Sequence, residues 1–503
     1  MKRLFLTALL AVLALPALQA QLSRFPAQDA FAVNIDTHLI LTFSHTPTLG
    51  DKGFIKVFEQ GTDRLVDVLD LSIPPGPTER RRNPDADYTS VPYKYKATDY
   101  TNANTVPGTP SGINKREESN YQLNIIGKFT DGFHFYPVII HGHTATIYLH
   151  NNLLEYGKSY YVTIDDGVIR TDGFRGIPAN APWKFSTKAK ASVRGRKIVV
   201  SADGTADFNT VQGALDHIPD FTPLALEQKT ENTDENGGWH IFIRNGDYEE
   251  IVYFRNKRHV TIQGESRQGV VVHYPNCEVF NPHPWEVKTN ECVGTFPSRR
   301  ASFMCDNGYG ITLTNLTLRT DCRGQAEALL IMGIDNAVYN VTIDGSGDAL
   351  QVNGPTYFEN CAIIGDGDTV MGRGPAFFKN CSVTSAHYMT RPRNTERNHG
   401  YVFVDCVFNG VGDRAIIARS PMNGIYPAVE TVLIDCVIDN VLPEGFGPIE
   451  GDLTKVRLWE YNSRNPDGTP VDVSKRHPAS RQLDKEKDRD IIELYSNPFY
   501  VLK

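Results

Sequence analysis

Two aspartates, Asp348 and Asp368, stand 12 residues ahead of the same slot in two successive copies of one repeated phrase. The slot is filled by Asn360 in the first copy and Asn380 in the second. If the copies stack as neighbouring strands, ~4.8 Å apart, their carboxylates stack roughly 5 Å apart on one face. Two carboxylates that close cannot both ionise cheaply, so they titrate apart. The pair then offers a protonated general acid beside an ionised nucleophile or base, and a nearby arginine selects which one stays charged. The plainer alternative is two turn aspartates on the solvent side of a repeat, since turns are rich in Asp. Against it, Asp368 lies in GDGDTVMG (365–372), whose glycines let the backbone come close to a ligand. Asp366 competes for the same role but falls off the register set by Asp348.

The elements that must position these groups are legible in the phrase itself, an apolar strand ending in Asn or Asp and then an apolar residue. It reads TNLTL (314–318), YNVTI (339–343), FENCAI (358–363), FKNCSV (378–383), VDCVF (404–408) and IDCVI (434–438). The slot residues Asn315, Asn340, Asn360, Asn380, Asp405 and Asp435 follow one another at steps of 25, 20, 20, 25 and 30. Short strands at such steps with one recurring corner predict an all-β right-handed parallel β-helix, in which stacked coils bury a continuous core. Aligned Asn side chains would form hydrogen-bonded ladders along the corner. Cys361, Cys381, Cys406 and Cys436 share the slot where Leu316 and Val341 also stand, so they read as small buried residues and not as disulfides. Cys277 and Cys292 flank a polar segment and are the pair whose spacing permits a bridge.

The chain is too long for one core: 503 residues, 40% hydrophobic and 22% charged, with net charge −8 and pI about 6.0. That balance argues against a nucleic-acid partner, while a local basic groove remains compatible with an anionic ligand. Residues 1–20 have a basic start, an apolar stretch and a Leu-Gln-Ala end, the pattern of a secretory signal, so export to the periplasm or beyond is expected. No other stretch reaches ~18 apolar residues, so no membrane insertion is expected. Residues 21–187 carry alternating runs such as HLILTFS (38–44), GFIKVFE (53–59) and SYYVTID (159–165), which predict a smaller antiparallel sandwich. A Pro- and Asn-rich insertion is expected at 74–118, and a basic linker at 188–197. The β-helix domain follows over 198–503, opening with a strand, a turn and a helix within 198–219, and closing with a charged part that packs along or caps it.

From about residue 198 the chain resembles the pectin methylesterase family. NGDYEE (245–250) is similar to its G-x-Y-x-E through Gly246, Tyr248 and Glu250; QAEAL (325–329) resembles Q-A-V-A-L; GDAL (347–350) resembles Q-D-T-L; GDTVMG (367–372) resembles V-D-F-I-F-G; and ARSP (418–421) falls where the family has G-R-P-W. The segment before 187 is similar to bacterial Ig-like domains joined to secreted enzymes. The resemblance implies an aspartyl esterase acting on pectin (homogalacturonan). In it Asp368 is the nucleophile, Asp348 the acid/base, Gln325 an oxyanion donor and Arg419 the partner of Asp368. Arg391 and Arg393, with Arg397 in the loop MTRPRNTERN, could meet free carboxylates of a polyanionic substrate, and Tyr248 and Thr295 complete the expected substrate contacts. No cofactor and no metal are implied, and a monomer is expected.

Departures from the family pattern concentrate on the substrate side. Gly347 stands where the family has Gln, and Ser420 and Pro421 follow the arginine where the family has Pro-Trp. Tyr309, Tyr388, Tyr426 and Phe446 are the aromatics available as substitute surfaces, each also an ordinary packing residue. Carboxylates ~5 Å apart also suit a retaining glycosidase, and the missing Gln and Trp fit a non-catalytic carbohydrate-binding protein or an esterase of different range. Product analysis separates these readings.

Overall fold

The computed structural model describes residues 22–78, 121–127, 133–221, 238–281 and 299–503. The leader at 1–20, most of the insertion at 74–118, Cys292 and Thr295 lie outside them.

In the N-terminal part, alternating residues form two sheets. One orders Ser23–Phe25, Leu39–Thr42, Thr144–Ile147 and Val138–His141. The other orders Ala30–Val33, Trp183–Thr187, Ser159–Ile164, Phe54–Glu59 and Arg64–Asp70. Inward-facing Leu39, Leu41, Val57, Val162, Trp183 and Phe185 close one core between them. The pairing is antiparallel except where Ala30–Val33 runs parallel to Trp183–Thr187.

From Lys197–Val200 onward the chain coils into a parallel β-helix with three sheets of 11, 8 and 7 strands, each coil adding strands to the stack. Register keeps like residues above one another. Val338, Phe358, Phe378 and Phe403 pair in series, with the phenyl rings stacked at 4.7 and 4.4 Å. The four repeat cysteines are buried free thiols in the same core, as their slot predicts. Cys277 is also buried, with Cys322 packed against its cluster.

The Asn/Asp slot has a sharper cause than ladders. All six slot residues take a positive φ, between 51° and 61°, and Asn and Asp tolerate this left-handed corner best after Gly. Ladder bonds are added only locally, as where Asn340 Nδ2 donates to Asn315 Oδ1 at 2.8 Å.

The expected helix is Val211–His217, which drops Val211, Ala214 and Leu215 into the core where stacking begins. Thr210 caps it, and Glu250 accepts from the Val211 and Gln212 amides at 2.8 and 2.9 Å. That capping role accounts for the glutamate of the NGDYEE motif. Asp36 of the N-terminal part accepts from the Asn209 and Thr210 amides, tying the two parts together. At the other end, helices Arg489–Tyr495 and Pro498–Val501 pack along the solenoid, with Tyr495 and Val501 against Phe377, Val402 and Val432. No helix among the described residues is long and apolar enough to cross a membrane.

Candidate active site

The site lies on the outer face of the third sheet. Leu350 pairs with Val370, Val370 with Thr390 and Thr390 with Ala418. Two residues ahead of the first pair, Asp348 and Asp368 therefore occupy one place in adjacent coils, as the repeat spacing predicts. Gln351, Met371 and Arg391 form a row beside them, and Arg419 follows directly on Ala418. Further along the same sheet, Ile126 and Phe133 of the N-terminal part cover Met304, Leu330 and Met332 and wall off that end.

Asp368 is reached by two guanidinium groups. Arg419 donates from Nε to Oδ1 at 2.7 Å and from Nη2 to Oδ2 at 2.5 Å, a bidentate clamp that fixes the carboxylate plane. Arg391 adds a bond from Nη1 to Oδ2 at 3.1 Å and holds the Pro421 carbonyl with Nη2. Arg391 was expected to face substrate carboxylates; here it is engaged by Asp368 itself. Arg419 also lies over the Tyr388 ring, 4.6 Å from its centroid, which limits its rotation. The Asp368 backbone sits at φ 48°, a corner that turns the side chain out of the strand line.

Asp348 is almost fully buried, at 3% exposure, and its partners come from earlier coils. Arg300 donates from Nη2 to Asp348 Oδ2 at 2.9 Å, and from Nε to both oxygens of Glu327 at 2.7 and 2.8 Å. Its Nη1 reaches Glu278 at 3.3 Å. Gln325 Nε2 approaches Asp348 Oδ2 at 3.4 Å. Burial pushes the Asp348 carboxyl above the ordinary aspartate value; Arg300 works against that, and the charge of Asp368 adds to it. Burial also pushes Glu327 up, to about 7. Neither Arg300 nor Glu327 was singled out by sequence reasoning. The signal was present: QAEAL places Glu327 where the resembled motif has Val, an acidic group in a position meant for a buried aliphatic.

The other expected residues divide. Arg393 lies near Asp348 and makes no side-chain hydrogen bond or ion pair among the described residues, so its charge remains available to a ligand. Tyr248 is a correction: it is 3% exposed, sits in the solenoid core and donates its hydroxyl to the Arg244 carbonyl, so it faces no substrate. Arg397 is exposed. Asp366 is exposed and bound by the Ser346 hydroxyl at 2.7 Å, apart from the aspartate stack. Among the aromatics, Phe446 is core, Tyr309 packs against Arg258, Tyr426 accepts from Arg373 and Tyr388 underlies Arg419.

The glycine departure has a backbone cause. Gly347 takes φ 64°, and a Cβ there would stand 2.4 Å from the Gly324 carbonyl oxygen. No side chain fits, and the ground beside Asp348 is taken by Arg300 and Gln325 instead.

One further cluster, Glu249, His273 and Asp321, has atoms close enough to share a metal ion. His273 already bridges it, with Nε2 2.8 Å from Asp247 and Nδ1 bonded to Asp321. Burial alone would lower His273, but these two carboxylates outweigh it and raise it to about 9. An imidazolium thus balances the acids there.

The family model described as Pectinesterase matches residues 197–480. The chain belongs to the pectinesterase family. It is accordingly a carboxylic ester hydrolase. Among curated pectinesterases it is 28% identical to Pectinesterase QRT1 of Arabidopsis thaliana over 357 residues, covering 65% of this chain and 84% of that one. It is 26% identical to Pectinesterase 1 of Olea europaea, covering 59% and 78%. A solved structure, a pectin methylesterase from carrot, aligns with TM-score 0.48 at 19% identity, over 62% of this chain and 95% of that one. The family match starts at the first solenoid strand, so the N-terminal part stands outside it.

Proposed function

We propose that the protein removes methyl esters from galacturonate units of pectin, giving pectate and methanol, with Asp368 as nucleophile and Asp348 as acid and base. The observation that carries this is the one-coil register that sets a clamped carboxylate beside a buried one. An Asp368 oxygen attacks the ester carbonyl carbon. The Gln325 amide, beside Asp348, donates to the oxygen that gains charge. As the C–O bond to methoxide breaks, Asp348 passes its proton to the departing oxygen. An acyl link to Asp368 remains. Asp348, now a carboxylate, takes a proton from water as that water attacks the acyl carbon, and Asp368 leaves. Proton and nucleophile are both restored.

Arg393, close to the pair and without a side-chain hydrogen-bond or ion-pair partner among the described residues, is the cation that meets a free uronate carboxylate next to the reacting ester. The leader at 1–20 directs export, the protein acts as a monomer, and residues 21–187 form an Ig-like module that buttresses the solenoid. Its contacts support that placement: Tyr148 and His141 hold Glu249, and Asn281 holds His134. The test is methanol and reducing-end release from highly methylated pectin, measured together. Methanol release at constant chain length supports the reading. New reducing ends without methanol would assign a glycosidase or lyase, and neither product would leave a binding protein.

A further inference from the structure

The proposed reaction needs Asp348 to hold a proton, yet Arg300 Nη2 stands 2.9 Å from its Oδ2. A guanidinium in that place favours the bare carboxylate. Its other partners change the outcome. Arg300 meets Glu327 through Nε at 2.7 and 2.8 Å and through Nη2 at 2.7 Å, and meets Glu278 through Nη1 at 3.3 Å. One cation thus faces three carboxyl groups, and two of them, Glu327 and Asp348, are 0% and 3% exposed. The two buried carboxyls share this one bonded guanidinium, and no other cation bonds either of them among the described residues, so the pair retains a proton.

Resting on the esterase reading above, we propose that Glu327 is a positioning residue of the reaction: it engages Arg300 and thereby leaves Asp348 able to hold and return a proton. Glu327 takes Nε and shares Nη2, which leaves Asp348 one contact to Nη2. The remaining charges around the cluster are Asp368, Arg391 and Arg393 on the later coils and Arg299 next in the chain. Burial holds both carboxyls above their ordinary values, as proton sharing requires. In acylation the Asp348 proton goes to the methoxide oxygen, and Arg300 then balances the new carboxylate. In deacylation Asp348 takes a proton from water, and the shared arrangement returns. Glu327 is itself fully buried, so its carboxyl answers to Arg300 and not to solvent.

The test follows kcat against pH for the wild type, Glu327→Gln and the double variant Arg300→Gln/Glu327→Gln. Activity falls on the alkaline side as Asp348 loses its proton. With Glu327 neutral, Arg300 faces Asp348 with only the longer Glu278 contact to share it, and that limb moves down by about 1–2 pH units. Removing Arg300 as well moves it back up to or above the wild-type position. A limb that stays in place or rises in Glu327→Gln, or that fails to return in the double variant, overturns the proposal. A residue needed only for folding would lower kcat at all pH values without moving the limb. Infrared titration of protonated carboxyl groups gives a readout free of turnover: the band absent from Asp348→Asn must disappear at lower pH in Glu327→Gln than in the wild type. An unchanged titration rejects proton sharing even if methanol is released. A shifted titration without methanol release rejects the esterase reading alone. If Glu327→Gln does not fold, Glu327→Asp, which keeps the charge but shortens the reach, must shift both readouts in the same direction.

Discussion

Asp368 and Asp348 share one register position in neighbouring coils, and the chain surrounds them in opposite ways. Asp368 keeps contact with solvent, its side chain 13% exposed, and is held by Arg391 and Arg419 from coils that follow it. Asp348 is buried and is bonded by Arg300 and Gln325, with Glu327 on Arg300 behind it, all from segments that precede it. A solenoid repeats its backbone, so backbone geometry alone cannot make two stacked carboxylates different. The difference comes from direction along the axis: earlier coils supply the side chains that bond the acid, later coils those that bond the nucleophile, and the later Arg391 and Arg393 add their charge to the acid side.

The sharpest way to break this contrast is to remove the nucleophile. Asp368→Asn is expected to lower methanol release by at least ~10³-fold and up to the ~10⁶-fold seen when a nucleophile is lost, with an unchanged circular dichroism spectrum. Near-normal turnover would end the assignment. Asp348→Ala should cost ~100-fold or more in kcat, the range of general acid–base catalysis. A loss under about tenfold would move that role to another group. Arg419→Lys keeps the charge but loses the bidentate clamp, so kcat should fall about tenfold while KM changes little. An equal loss in KM would mean that Arg419 binds substrate directly.

A raised carboxyl does not by itself make an acid catalyst, and Glu250 supplies the control. Burial pushes it to about 7, like Glu327, but its oxygens cap the helix Val211–His217 far from the aspartates. In the folded protein its pKa lies above the ordinary 4.5, so the folded state binds the extra proton. Its contribution is therefore fully present below about pH 4.5 and declines as pH rises through about 7. Glu250→Gln should flatten the fall of the urea midpoint between pH 5 and pH 8 and leave kcat unchanged. A shifted pH–rate profile in that variant would blur the distinction between the two kinds of buried acid.

The stacking of Asp348 on Asp368 was legible because the repeat is periodic and its corner residue is chemically constrained. Asn and Asp mark a left-handed turn, and once that turn is placed, everything two or twelve residues away is placed with it. Arg419 was legible through its motif. Arg300 and Glu327 were not: Arg300 lies 48 residues ahead of Asp348, and Glu327, which stands two residues ahead of Leu329 and so holds the place of Asp348 one coil earlier, lies 13 and not 12 residues ahead of its slot Asn340. Their meeting depends on side chains crossing between coils, which periodicity does not report. Tyr248 failed for the opposite reason: its motif is real, but Gly246, Tyr248 and Glu250 serve the first coil and its helix cap, not the cleft.

The smallest expected effect falls on Arg393. It approaches the acid side of the site from a later coil, and burial, with Arg373 and Arg391 nearby, lowers its guanidinium to about 10. A cation crowded by other cations gains when an anion arrives, so a free uronate beside the reacting ester relieves the repulsion that Arg373 and Arg391 exert on Arg393. Arg393→Ala should therefore raise KM several-fold on partly de-esterified pectin and by much less on fully methylated pectin, with kcat nearly constant. The difference should shrink as salt is added, since the contact lies at a partly exposed position. Equal losses on both substrates would mean that Arg393 acts on Asp348 and not on the substrate, and would assign it to the acid half of the contrast.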